Sequence, residues 1–301
     1  MMRSSIIELG HGGIAAMLDG NRLQLQQGPI NLVIKAFGAK VAVQKAYQKA
    51  IHYFPSILPG LVLNLEKLKQ TVALEMETTE ARIECPTSQH MIKTTSVFAG
   101  KFVTPMACVA GAVADQVLSV IRDTPGIDKA FVNNGGDIAV YLTPKQSLDI
   151  GVVPSLVKAV PEAKFTLRNR DLISGVATSG WNGPSFSRGI ADAVTVLAGS
   201  AAEADIAATL IANEVNVESP AVTRKQAFLI DDTSDLGSRL VTTHVGVLSK
   251  LEIATALENG LVCAQLMIRE NRISAALISV KENWVSAGSK LDPYLSGPSH
   301  V

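Results

Sequence analysis

Asp205 and Thr209 stand four residues apart in AEADIAATLIAN, the spacing that puts two side chains on one face of an α-helix about one turn apart. The residues around them are mostly alanines, too small to screen them. A carboxylate oxygen and a hydroxyl oxygen, completed by carbonyls or waters, suit a hard cation such as Mg²⁺ or Ca²⁺. The stretch 175–213 holds no His or Cys, which argues against zinc. The same spacing allows a plainer arrangement, with Thr209 bonded back to the Asp205 carbonyl and Asp205 a polar residue at a helix edge. The helix itself has a readable start. Ser200 followed three residues later by Glu203 is a capping box, so the helix is expected from Ala201 to about Asn213.

Three further stretches carry polar groups beside glycines. Asn134-Gly135-Gly136-Asp137 separates two extended runs, 129–133 and 138–142. It reads as a hairpin turn, or as bare backbone that a ligand approaches closely with Asn and Asp beside it. Ala177-Thr178-Ser179-Gly180 places two hydroxyls on an expected glycine-bounded bend, a cradle for phosphate or ribose oxygens. Thr104-Pro105 opens a helix that is apolar nearly all round, so it belongs inside the protein. Gly111 in its middle costs about 1 kcal/mol relative to Ala, which points to another backbone or a ligand close by. Asp115, the lone acid there, either pairs locally at the helix edge or binds.

The elements that must position these residues follow from turn signals and periodicity. Runs within 14–37 broken at Asp19-Gly20 and Gly28-Pro29 predict hairpins. Residues 39–54 read as a helix ended by Pro55, Pro59-Gly60 as a further turn, 65–80 as a second helical segment, and the region from Pro86 through 94–96 as loop. Strands are expected at 149–153, 165–170, 193–198, 240–247 and 273–280, with a helix beginning near Ser249. The chain of 301 residues is long enough for a sizeable core, and 47% of it is hydrophobic. Its 27 basic and 27 acidic residues balance, so no global field draws nucleic acid or an acidic membrane, and neither is an expected partner. No apolar run reaches the roughly 18 residues needed to cross a bilayer, and the longest candidate, 106–121, contains Asp115 and Gln116. The opening does not look like a secretory signal, and the expected compartment is the cytoplasm. Three widely spaced cysteines fit neither a disulfide framework nor a Cys-x-x-Cys metal site.

PMACVAGAVADQV, FVNNGGDIAVYL, GVATSGWNGPSFSRGIADAVTV and AEADIAATLIAN, in that order, resemble the ApbE-like superfamily, and more closely its branch of short ApbE-related proteins. The resemblance covers roughly residues 53–213 and continues more weakly to about 280. It implies an α+β fold of antiparallel sheet layers with buried helices, here one domain over 1–301 in which 214–286 completes the fold. ApbE enzymes are Mg²⁺-dependent transferases that cleave FAD and attach the FMN half to a Thr of a target protein. By resemblance, Asp205 and Thr209 are the side-chain metal ligands. Asn134, Gly135, Gly136 and Asp137, with Thr178, Ser179 and Gly180, lie near the flavin nucleotide, and Gly111 and Asp115 match two positions of a Lys-Gly-x-x-x-Asp helix. The chain departs from the pattern where catalysis is concerned. The family's Lys is Ala110, its His-x-x-Asp-Pro-x-Thr-Gly stretch reads GPSFSRGIADAV, and the closer branch's His and Lys positions hold Pro184 and Ile190. Two functions follow: a Mg²⁺- and nucleotide-binding enzyme of the flavin-transfer type, or a ligand-binding accessory protein of sulfur or cofactor metabolism without the chemistry. The expected ligand is FAD or a related nucleotide, and an exposed antiparallel sheet edge would allow a homodimer.

Overall fold

Alternating burial shows how the first strands form. Leu23, Leu25 and Gln27 face inward from one strand and Ile30, Leu32, Ile34 and Ala36 from the next, while the residues between them face the other side. In the computed structural model, residues 6–71, 83–98, 100, 102–152 and 163–288 are described. They divide into two compact units, 1–147 with 168–175 and 200–203, and 148–167 with 176–199 and 204–301.

The first unit holds β1 (Ile7–Glu8), β2 (Ile14–Leu18), β3 (Arg22–Gln27), β4 (Ile30–Gly38), β5 (Ile127–Asn134) and β6 (Asp137–Leu142), each antiparallel to the next in chain order. Both expected hairpins are present. Leu18 pairs with Arg22 across a turn in which Gly20 and Asn21 take positive φ. Gln27 pairs with Ile30 across Gly28-Pro29. The helices are α1 (Lys40–Tyr53), α2 (Ile57–Leu63), α3 (Leu65–Leu68), α4 (Pro86–Ser96) and α5 (Val109–Arg122). Helix α5 follows a 3-10 turn at Pro105–Cys108 and packs on β5, β6 and α1, burying Ala112, Val113, Val117 and Ile121 completely.

Two expected interruptions are helical. Pro59-Gly60 lies inside α2, where Pro59 stands in the first turn and its missing N–H has no helical partner to lose. The expected loop around Pro86 and 94–96 is α4. Pro86 sits at its first position, and the hydroxyls of Thr95 and Ser96 bond back to the Met91 and Lys93 carbonyls, which lets such residues continue a helix. The helical segment expected at 65–80 is seen as α3; its part beyond 71 lies outside the described residues. Residues 105–122 and the 20-residue helix 250–269 of the second unit are long and apolar enough, by length and composition alone, to cross a membrane, although polar residues interrupt both. Half of 105–122 is buried, as in a core helix.

The second unit holds β7 (Ser147–Val152) paired with β8 (Ala163–Arg168), and β9 (Gly175–Ser179), β10 (Ala193–Ala198), β13 (Ala275–Val280) and β14 (Asn283–Ala287) side by side in that order. A separate hairpin of β11 (Val222–Gln226) and β12 (Leu240–Val245) is antiparallel. Its helices are α6 (Ala201–Glu214), whose first residues count with the first unit, and α7 (Lys250–Arg269). Ser249 caps α7 with Glu252 reciprocating, so the helix start expected near Ser249 is present. Helix α6 buries nine of its first twelve residues, all Ala, Ile or Leu; the exceptions are Glu203, Asp205 and Thr209.

Candidate functional site

The N-terminus of α6 is built by three elements of the first unit. Ser200 Oγ accepts the Glu203 N–H at 3.2 Å, as the capping signal implied. The two N–H groups before it go to α5: Asp115 Oδ1 accepts from Ala201 and Oδ2 from Ala202, each at 2.9 Å. A carboxylate there meets the positive end of the helix. His90 on α4 lies with Nε2 3.0 Å from the same Oδ2. Gly111 makes the approach possible, because a Cβ there would stand 2.3 Å from the Ala201 carbonyl oxygen. Gly175, the first residue of β9, counts with the first unit and does the same on the other side, where a Cβ would lie 1.9 Å from the Ser200 carbonyl oxygen. The close backbone approach expected at Gly111 is therefore present, and its partner is the first turn of α6. His90 was missed because it lies on a helix read as loop, and its contact with Asp115 spans 25 residues.

The glycine hairpin joins α5. Asn134 and Asp137 pair in register around Gly135 (φ +66°) and Gly136 (φ +115°), a tight β5–β6 turn whose two glycines are exposed. Asn134 is buried and its Nδ2 donates to the Ala110 carbonyl at 3.1 Å, one residue before Gly111. Asn133 Oδ1 accepts the Gly136 N–H at 2.9 Å. The first unit thus gathers Gly111, Asp115 and the 134–137 turn along α5. Nearby, burial pushes the Tyr53 phenol above its ordinary pKa, an effect that Gln116 and Thr87 beside its hydroxyl offset in part.

In the second unit, Thr178 and Ser179 end strand β9, so the expected bend begins only at Gly180. Thr178 Oγ1 lies 2.9 Å from Thr195 Oγ1 on β10. A Cβ on Gly180 would stand 2.3 Å from the Asp192 carbonyl oxygen, so only glycine lets the chain turn there. Asp192, which the sequence did not single out, fastens the loop that follows. Its Oδ1 accepts from Trp181 Nε1 at 3.1 Å and its Oδ2 from the Lys281 N–H. Further along, the Arg188 N–H donates to Asn213 Oδ1 at 2.8 Å, and the Ile190 N–H to the Val215 carbonyl at 2.8 Å, with the Ile190 side chain fully buried.

Asp205 and Thr209 are half-buried on one face of α6, between turns that are otherwise apolar and buried. A carboxylate and a hydroxyl one turn apart are a donor set that fits Mg²⁺ and does not fit a soft metal. Among the described residues no three His, Cys, Asp or Glu side chains gather into a metal-binding group, so this pair would need backbone, water or ligand oxygens to complete a shell.

A family model described as AbpE bacteria matches residues 14–287. The chain belongs to that family, and it is similar to proteins of the UPF0280 group. A UPF0280 protein of Methanosarcina acetivorans is 34% identical over 142 residues, 46% of this chain and 54% of that protein. One from Methanothrix thermoacetophila is 33% identical over 157 residues, 52% and 62% of the two chains. The chain spans about half the length of the curated relatives it matches. Among solved structures, the apo flavinyl transferase ApbE of Pseudomonas stutzeri aligns over 99% of each chain with 13% identity and a TM-score of 0.43.

Proposed function

We propose that this protein binds a flavin nucleotide, FAD or a close relative, together with Mg²⁺ held by Asp205 and Thr209. The observation that carries the reading is the placement of these two residues, half-exposed oxygen donors one turn apart on a helix whose other faces are buried and apolar. Bound there, Mg²⁺ would neutralise charge on the ligand's diphosphate. Within the first unit, the exposed glycines at 135 and 136 leave backbone open to approach, with Asp137 beside them; within the second unit, Thr178, Ser179 and Gly180 offer hydroxyl and backbone groups.

Transfer chemistry is a separate matter, and one observation favours a second reading in which the protein binds without transferring. Ala110, Pro184 and Ile190 stand where the resemblance would put proton-handling or leaving-group contacts, and Ile190 is fully buried in apolar surroundings. Positioned acid–base groups contribute roughly 10²–10⁴-fold in rate, so binding should outlast catalysis. Such a protein would serve as a ligand-binding accessory factor in sulfur or cofactor metabolism. It would work in the cytoplasm on a small nucleotide, without nucleic acid or membrane, and as a homodimer through a sheet edge.

Calorimetry with Mg²⁺ tests the metal pair: Asp205→Ala should abolish most of the affinity, and an unchanged affinity would remove the assignment. Incubation with FAD, Mg²⁺ and a Thr-containing acceptor peptide of the ApbE type tests the chemistry. Nucleotide binding with little or no peptide flavinylation is expected. Rapid flavinylation would overturn the low-activity reading, and no binding at all would overturn the ligand.

A further inference from the structure

We infer that Asp115 is a positioning residue for the helix that carries Asp205 and Thr209, and that His90 holds it in that role. The inference rests on the proposed Mg²⁺ site. A helix start leaves its first N–H groups without helical partners, and the sequence supplies only Ser200 locally, which serves Glu203. The two remaining groups at the start are served from 86 and 87 residues earlier in the chain, one by each oxygen of a single carboxylate. Both bonds are 2.9 Å, so the carboxylate grips Ala201 and Ala202 together and fixes direction as well as distance.

Ala201 is then held from both ends. Its N–H is on Asp115, and its carbonyl lies over the bare backbone of Gly111. In an α-helix that same carbonyl accepts the N–H of the residue four further on, which is Asp205. A displacement of the Ala201 peptide therefore carries directly into the backbone that presents the Asp205 carboxylate. Helix ends fray first, and Asp205 stands only one turn from this end. His90 fixes the last freedom of the arrangement. Asp115 retains 16% and His90 31% side-chain exposure, and the imidazole Nε2 donating to Oδ2 holds the carboxylate plane where both oxygens reach their N–H groups.

Two measurements on the full chain test this. Amide hydrogen exchange at Ala201 and Ala202, made without metal, reads the grip itself; Mg²⁺ calorimetry reads its consequence for Asp205. Asp115→Asn keeps one acceptor oxygen and loses the other, so exchange at the pair should quicken about tenfold and Mg²⁺ affinity should fall roughly three- to tenfold. His90→Ala should do part of the same, and His90→Gln, whose amide can still donate to Asp115, should restore both. Leu25→Ala on β3 serves as control: it lowers the melting temperature through the core, and Mg²⁺ affinity should not change. Unaltered exchange in Asp115→Asn would overturn the grip. Faster exchange with unchanged Mg²⁺ affinity would make Asp115 a structural cap only and overturn the positioning role. An Asp205→Ala protein that binds Mg²⁺ as wild type does would instead overturn the metal site on which the inference stands, whatever the exchange shows.

Discussion

Replacing Gly111 by alanine sets two effects of opposite sign against each other. In an isolated helix the change is favourable by about 1 kcal/mol, because glycine loses more backbone entropy than alanine. Here the added Cβ would lie 2.3 Å from the Ala201 carbonyl oxygen, 2.5 Å from the Ala201 carbonyl carbon and 2.7 Å from the Ala202 nitrogen. Comfortable contact needs roughly 3.5 Å, so α5 and the start of α6 would have to part by about 1 Å. All three atoms are backbone, and no rotamer change relieves the clash. Overpacking of this kind costs about 1–3 kcal/mol. Parting the helices also stretches, without breaking, the two Asp115 bonds to Ala201 and Ala202, each worth about 1.5–3 kcal/mol intact with a charged acceptor, so about 1 kcal/mol from each is at stake. Clash and weakened bonds together outweigh the propensity gain, leaving a net loss of about 2–4 kcal/mol. In a unit of this size that lowers the melting temperature by roughly 5–15 °C. Thermal unfolding followed by circular dichroism would show it. A Gly111→Ala protein melting at or above the wild-type temperature would mean that the two backbones do not approach as described.

Tyr47 bridges a gap where β4 outruns β3: its hydroxyl accepts the buried Ala36 N–H at 3.1 Å and donates to the Asn21 carbonyl at 2.8 Å. Tyr47→Phe should cost about 1–3 kcal/mol, mainly from the stranded Ala36 N–H, and a denaturation midpoint equal to wild type would contradict that bridge. Burial raises the Tyr47 pKa above its usual 10.0, with the Ala36 bond opposing. A pKa raised on folding stabilises below the unfolded value, and that contribution disappears as pH climbs through the folded one. Stability should therefore drop on the alkaline side of about pH 10, less steeply in Tyr47→Phe, as melting temperatures across that range would record. Trp181→Phe removes the donor to Asp192 Oδ1 and should expose the loop after Gly180 to limited proteolysis, whereas unchanged cleavage would show that the loop is held by other contacts.

What could be read from sequence depended on whether the cause lay near in the chain. Gly28-Pro29 and Gly135-Gly136 declared their hairpins because a positive φ is a property of the turn residues themselves. Ser200 and Ser249 declared their helices because a cap bonds three residues ahead. Helix α4 was lost to its own composition. Pro86 and the hydroxyl residues at 94, 95 and 96 read as loop, whereas Pro86 stands at the first helical position, where proline starts a helix. Strands β11 and β14 went unnoticed, the first with half of its side chains facing solvent and the second with little clear alternation. At the site, Gly111 announced a close backbone, but nothing local could say that the backbone would be α6. Asp115, His90 and Asp192 act across 25 to 89 residues, and no spacing rule reaches that far.

The distribution of hydrogen bonds also separates two kinds of polar residue that a motif places side by side. Asn134 gives its amide to the Ala110 carbonyl, Thr178 shares its hydroxyl with Thr195, and Asp115 gives both oxygens to α6 and one to His90. These residues fasten the elements on which other groups are presented. Gly135 and Gly136 are of a different sort: they present exposed backbone at the tip of the hairpin in the first unit. A turn fastened this way keeps its shape whatever side chains its neighbours carry, because the fastening contact does not depend on them. Ala110 is the clearest instance. Whatever a lysine would have done there, the contact that holds the glycine hairpin to α5 is made by the backbone carbonyl of residue 110, which every amino acid supplies. The frame that holds the glycine hairpin to α5 is therefore independent of which side chain stands at residue 110.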